Sequence, residues 1–213
     1  MKGDIINITD ENILLATKIV KPLFNEIINS NQPFVISVAG ESGAGKSITA
    51  AAIAETLKEK KLLVKIFQQD DYFYLPPFTN DKRRREDIEW VGLKEVNLKL
   101  LDKNLYQAKK GVIKIEKPLI IYKENKIIKE VFDMTGVHVC VVEGTYTSLL
   151  KNVDKRIFID RDYNETFNDR KNRARDKMDS FTEQVLEIEH QIIHNQKFMA
   201  DIILDKNFKV HFK

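Results

Sequence analysis

The chain has 213 residues, 43% of them hydrophobic and 31% charged, with a formal net charge of +3. That length supplies one sizeable core, or a core plus a small lid, and the composition is ordinary for a globular domain. Near-balanced charge gives no electrostatic footprint for nucleic acid or a membrane surface, the single cysteine (Cys140) excludes an internal disulfide, and no apolar run is long enough to span a bilayer. With no signal-peptide pattern at the start, the expectation is a cytoplasmic protein.

In chain order, residues 1–32 read as a helical segment. Ile19, Val20, Leu23, Phe24, Ile27 and Ile28 form a stripe at helical spacing. Pro22 interrupts it, which predicts a kink or two short helices. Residues 34–39 predict a buried strand, and residues 47–57, with Ala50, Ala51, Ala52 and Ala54, predict a helix. Residues 62–67 predict a second strand that runs into Gln69-Asp70-Asp71-Tyr72. Pro76-Pro77 predicts an extended loop, and Lys82-Arg83-Arg84-Arg85 a solvated or substrate-facing one. Residues 92–110 predict a helix. Two apolar runs within 112–131, flanking Lys123-Glu124-Asn125-Lys126, predict a β-hairpin. Residues 137–142 are nearly all apolar, as in a parallel strand buried on both faces, with Cys140 as a small core residue. A strand at 156–160, charged helices at 164–179 and 181–198, and a terminal strand at 201–204 complete the pattern. Alternating strands and helices predict an α/β fold with a mostly parallel central sheet, whose ligands sit at the carboxyl ends of the strands. No repeat or low-complexity linker divides the chain, so residues 1–213 are expected to form one domain.

Between the first strand and its helix lies Gly40-Glu41-Ser42-Gly43-Ala44-Gly45-Lys46-Ser47, which fits the phosphate-binding P-loop, G-x-x-x-x-G-K-[ST], at every fixed position. A strand, a glycine-rich turn and a helix N-terminus make an anion cradle, because backbone N–H groups converge there and the helix dipole favours negative charge. In this motif Lys46 reaches the β- and γ-phosphates and the Ser47 hydroxyl holds Mg²⁺. Three further features fall at strand ends. Asp70 is placed to accept a proton from an attacking hydroxyl. Asp71, its neighbour, should face elsewhere, since adjacent strand residues point to opposite sides. Glu143, directly after the apolar strand, occupies the Walker B position and is a ligand for Mg²⁺, directly or through water. The run Arg170-Lys171-Asn172-Arg173-Ala174-Arg175 reads either as an arginine lid over a triphosphate or as a solvated helix.

These segments, in this order, with Val142-Glu143-Gly144 and Ala200-Asp201-Ile202-Ile203, resemble the uridine kinase and phosphoribulokinase family of P-loop kinases over about residues 34–204. The resemblance implies a P-loop NTPase fold of three layers (α/β/α), a small β-hairpin over the acceptor and a helical lid at about 164–180. It also implies ATP with Mg²⁺ as donor and a small hydroxyl compound, most plausibly a nucleoside, as acceptor. It assigns catalysis to Asp70, Lys46, Arg170 and Arg175, nucleotide contacts to residues 40–47 and Arg173, and metal contacts to Ser47 and Glu143. Tyr72 and Tyr122 join Asp70 as candidates for the acceptor pocket, with Tyr74, Arg84 and Trp90 as further candidates. The hairpin departs from uridine kinases. Pro118-Leu119-Ile120-Ile121-Tyr122 lacks their Tyr-Asp pair, and no His-Ser-Arg follows. Family members often assemble, which makes the N-terminal helical segment a candidate interface between copies. The rival readings are a nucleotide switch or motor and a binding module without catalysis. No Asn-Lys-x-Asp base-reading motif of a GTPase and no Ser-Gly-Gly-Gln signature of a transporter ATPase occurs.

Overall fold

The computed structural model describes residues 6–173 and 179–213. β1 (Phe34–Gly40) runs through the middle of a six-stranded sheet and is buried along its whole length. β5 (Val137–Glu143) and β6 (Lys155–Ile159) flank it in parallel, β2 (Leu63–Gln68) lies outside β5, and β7 (Ile202–Leu204) outside β6. β8 (Val210–Phe212) closes the sheet as an antiparallel edge strand. Alternation along β1 divides the core between the two faces. Ile36 and Val38 pack with Ile19, Val20 and Leu23 of α1 (Asp10–Ile28) and with Ile53 and Leu57 of α2 (Lys46–Glu59). Val35 and Ala39 pack on the other face with Leu101 and Leu105 of α4 (Leu98–Lys109) and Ile193 of α6 (Ser180–Ile193). The result is the expected three layers.

α1 is one continuous helix through Pro22, not two. Pro22 and Lys18, whose carbonyl loses its helical partner, both lie on the exposed side, so the orphaned group is open to solvent while the apolar stripe stays packed. Pro76-Pro77 does not extend into a loop. Pro76 is extended (φ −68°, ψ 160°), but Pro77 opens a further helix, α3 (Pro77–Glu86), at the position where proline's fixed φ and missing N–H cost nothing. The predicted helix over 92–110 begins only at Leu98, after Asn97 caps it by accepting from Leu100 N at 3.0 Å. The 181–198 segment is helical through Ile193 and then tightens into a 3₁₀ stretch, His194–Met199.

β3 (Lys114–Ile121) and β4 (Lys126–Asp133) form a separate antiparallel hairpin, turned by Asn125 in the left-handed region (φ 47°). Asp71 anchors it on the sheet. The 3₁₀ turn Gln69–Tyr72 leaves β2 and points Asp71 into the hairpin, where its Oδ2 accepts from Lys117 Nζ at 2.7 Å and its Oδ1 from Ile120 N at 3.0 Å. Lys117, only 2% exposed, also meets Glu130 at 3.3 Å and sits 5.0 Å from the centre of the Phe132 ring. Breaking a buried pair by removing one member leaves the other charge uncompensated. Lys117→Met should therefore cost about 3–5 kcal/mol, read as a lowered urea midpoint, and adding Asp71→Asn should recover part of the loss.

Candidate active site

Strand register brings three chain segments to one edge of the sheet. Val38 pairs with Glu143, Glu143 with Gln68, and Gly40 with Ile159. The P-loop leaving β1, the acid ending β5 and the turn leaving β2 therefore emerge side by side, at the carboxyl ends where open α/β sheets bind ligands. The loop backbone requires its glycines. Gly43 and Gly45 have φ of +80° and +103°, and a Cβ at Gly40 would lie 2.9 Å from the Ile159 carbonyl oxygen. No side chain caps α2, so its first N–H groups open onto the loop.

Lys46 Nζ donates to the Glu41 carbonyl at 2.8 Å, and Ser47 Oγ donates to Glu143 Oε1 at 3.1 Å. Glu143 is 5% exposed. Burial, and then the charge of Asp70, push its pKa up to about 7 against the opposing pull of Lys46 and Ser47. Asp70 is thus near enough for its charge to act on Glu143. A buried carboxylate, a serine hydroxyl and a second carboxylate in reach suit a hard divalent cation, which would offset the charge that burial penalises.

Asp71 points into the hairpin, and it lies in a 3₁₀ turn, not in a strand. Tyr72 requires correction as an acceptor-pocket residue. It is 1% exposed, packs in the core beneath the hairpin and donates to Asn104 Oδ1 at 2.9 Å. An aromatic beside a catalytic acid reads the same in sequence whether it lines a pocket or fills a core. Tyr122 lies at the hairpin turn, its ring 5.3 Å from Phe78 of α3, and Asn125 Oδ1 accepts from Phe78 N at 2.8 Å. The hairpin end is thereby tied to α3 across the acceptor side. Arg170, on α5 (Phe167–Arg173), packs over the P-loop. A Cβ at Gly43 would come 2.8 Å from its Cγ, and its Nη2 donates to the Tyr163 carbonyl at 2.8 Å. Arg173 lies in α5, and Arg175 falls outside the described residues.

Sequence alone missed the role of Glu41. As one of residues 40–47 it is expected at the nucleotide, yet its side chain ties the loop outward. Its Oε2 accepts from Tyr163 N at 2.8 Å and its Oε1 lies 2.6 Å from His190 Nδ1 of α6. A cavity of about 420 Å³ opens beside it, lined in part by Arg161, His190, Asp205 and Asn207. Phe208 (φ 56°) is stacked under Arg161, at 5.3 Å, with its ring 3.4 Å from where a Gly45 Cβ would stand. This is room for a nucleotide's base next to its phosphates.

The raised Glu143 pKa has a sign that can be tested. A carboxyl whose folded pKa lies above its unfolded value weighs on the fold once pH passes the unfolded pKa, near 4.5, and does so fully above about 7. Without added cation, Glu143→Gln should stabilise the protein relative to wild type at pH 8 by roughly 1–3 kcal/mol. The difference should shrink toward pH 5, and added Mg²⁺ should stabilise wild type but not the variant. Paired urea titrations at the two pH values measure this.

Residues 35–210 match the phosphoribulokinase/uridine kinase family. Uridine kinase of Clostridium novyi is 28% identical over 187 residues, covering 81% of this chain and 87% of that one. Uridine kinase of Bacillus cytotoxicus is 27% identical over 197 residues, covering 86% and 91%. The solved phosphoribulokinase of Rhodobacter spheroides shares the fold at a TM-score of 0.65 and 14% identity, covering 83% of this chain and 71% of that one. With P-loop, Asp70 and Glu143 meeting at one sheet edge inside the matched span, the chain belongs to the phosphoribulokinase/uridine kinase family of P-loop kinases.

Proposed function

We propose that this protein transfers the γ-phosphoryl group of ATP to a hydroxyl of a small metabolite, with a nucleoside as the leading acceptor class on the strength of its uridine kinase relatives. The observation that carries the reading is the convergence on Glu143. It receives the Ser47 hydroxyl at 3.1 Å and the charge of Asp70, at the mouth of a glycine-rich anion cradle.

Phosphoryl transfer asks a protein mainly for positioning and charge stabilisation. The backbone N–H groups of residues 40–47 hold the β- and γ-phosphates, and Lys46 turns its ammonium from the Glu41 carbonyl to them. Ser47 and Glu143 would hold Mg²⁺, which supplies charge neutralisation across those phosphates when bound. Asp70 orients the acceptor hydroxyl and takes its proton as the oxygen attacks. Arg170, seated over Gly43, closes the loop from above. Acceptor and donor approach from opposite sides, the acceptor between α3 and the hairpin and the base of ATP from the cavity beside Glu41. Among the described residues no helix is long and apolar enough to cross a membrane.

An ADP-release assay with ATP·Mg²⁺ and a panel of hydroxyl compounds tests the reading. Acceptor-stimulated release supports it, and acceptor-independent hydrolysis would refute it. Asp70→Asn should lower kcat by about 10²–10⁴ while leaving ATP affinity largely intact by calorimetry. Normal turnover in that variant would remove Asp70 from the mechanism.

A further inference from the structure

The cavity beside Glu41 has a charge and a wall that the phosphate loop does not explain. Acids crowd its lining: Glu41, Asp160, Asp162, Glu165 and Asp205 stand against Arg161 and Lys206. Several are committed within the chain. Asp160 Oδ2 meets Lys197 Nζ at 2.6 Å, Asp162 Oδ1 accepts from Asn164 N and Glu165 N at 2.8 and 2.9 Å, and Glu41 holds Tyr163 N and His190. Such a lining repels phosphate. It suits the uncharged end of a nucleotide, while the P-loop next to it suits the charged end.

Arg161 supplies the flat surface in this lining. Its guanidinium carbon lies over the Phe208 ring, 5.3 Å from the ring centre, and its Nη2 donates to Asp169 Oδ2 of α5 at 2.8 Å. Its side chain is 17% exposed. Arg161 lines the cavity and Phe208 does not, so the ring stands behind the guanidinium as seen from the cavity. The fork is held from behind by the ring and at one end by Asp169.

A second observation points to a ligand at this place. Phe208 has a φ of 56°, an outlier for a bulky side chain. The turn before it enforces that conformation. Phe208 N donates to the Asp205 carbonyl at 2.8 Å, Asp205 Oδ1 accepts from Asn207 N at 2.8 Å and from Lys209 N at 3.0 Å, and Asp205 Oδ2 lies 3.0 Å from His211 Nε2. Strain of this kind survives where the surroundings over-determine it, and it gathers at ligand clamps. Here it seats the ring, whose nearest atoms lie 3.4 and 3.5 Å from where a Gly45 Cβ would stand, at the start of α2. Contact thereby fixes the guanidinium and its backing ring to the phosphate cradle.

We propose that Arg161, backed by Phe208, is the platform on which the base of the donor nucleotide stacks. The proposal rests on the kinase reading. A guanidinium is planar and stacks on aromatic faces, and it is held here between two of them, the phenyl ring and the base. Arg161 touches the base, whereas Phe208 acts through Arg161 and is a positioning residue. Affinity for the base and affinity for the phosphates then reside in separate groups, the first in Arg161 and the second in residues 40–47.

Calorimetry on the full chain with Mg²⁺ compares a non-hydrolysable ATP analogue with methyl triphosphate, which keeps the triphosphate and lacks the nucleoside. Wild type should bind the ATP analogue at least about tenfold more tightly. Arg161→Lys keeps the charge and loses the plane. Phe208→Leu keeps an apolar side chain against Gly45 and loses the ring. Each should weaken the ATP analogue by about tenfold and leave methyl triphosphate unchanged. In turnover each should raise the KM for ATP with little change in kcat, a split that a merely structural role would not produce. Equal binding of the two ligands by wild type, an ATP analogue unaffected by Arg161→Lys, an equal loss for both ligands, or binding of neither would overturn the proposal. An ATP analogue unaffected by Phe208→Leu alone would overturn the part given to the ring. If Arg161→Lys removes the discrimination while ADP release is independent of any acceptor, the platform stands as a nucleotide site and the kinase reading falls.

Discussion

The parallel pairing of β1 with β5 is the constraint on which the site depends. Val38 opposite Glu143 places the acid at the level where β1 gives way to the glycine loop, and one turn of α2 then carries Ser47 back to 3.1 Å from it. Side chains alternate along a strand, so a slip of one residue would present Val142 to the P-loop and bury Glu143 among apolar side chains. The register is enforced from both faces of the sheet. Val139 and Val141 belong to the core under α1 and α2, and Cys140 and Val142 to the core under α4. The hydrophobic division that makes the fold stable is thus the same division that aims the acid, and the chemistry needs no separate positioning device for it.

Charge is arranged against stability at this edge. Burial, and then the charge of Asp70, raise the cost of ionising Glu143. Stability is recovered a few residues away. Asp71 is as buried as Glu143, yet it has Lys117 and a backbone N–H, and it fixes the hairpin to the turn that carries Asp70. Two adjacent aspartates therefore divide the work, one bound to its surroundings and one left in the cleft. Sites whose groups must change partners during a reaction are built in this way, with the frustrated charge held by a fully satisfied neighbour.

The α/β layers, the mostly parallel sheet and the P-loop between a strand and its helix were legible in sequence, because each depends on local pattern: apolar runs of strand length and a glycine spacing. What was not legible depends on contacts between distant segments. Pro76-Pro77 reads as a loop until Pro77 is seen to open α3. Tyr72 reads as a pocket aromatic until Asn104, 32 positions away, accepts its hydroxyl. Arg84 reads in sequence as part of a basic run and as a candidate for the acceptor pocket, and nothing in the run says that Glu95 and Glu189 will neutralise it. β8 is three residues long, too short to carry a period of its own.

Glu41 and Ser42 show why the variable positions of a phosphate loop are informative only in the folded chain. The loop has two sides. Its N–H groups turn inward, where an anion would sit. Its outward groups are used as structure: the Ser42 carbonyl accepts from Thr166 Oγ1 at 2.8 Å, and the Glu41 carboxyl holds both Tyr163 N and His190. Gly43 serves both sides. Its φ of +80° turns the loop, and the missing Cβ makes room for Arg170 Cγ and Thr166, each within 3.0 Å of where that atom would be. The segment leading into α5 therefore rests on the loop itself, and α6 is joined to it through one carboxylate.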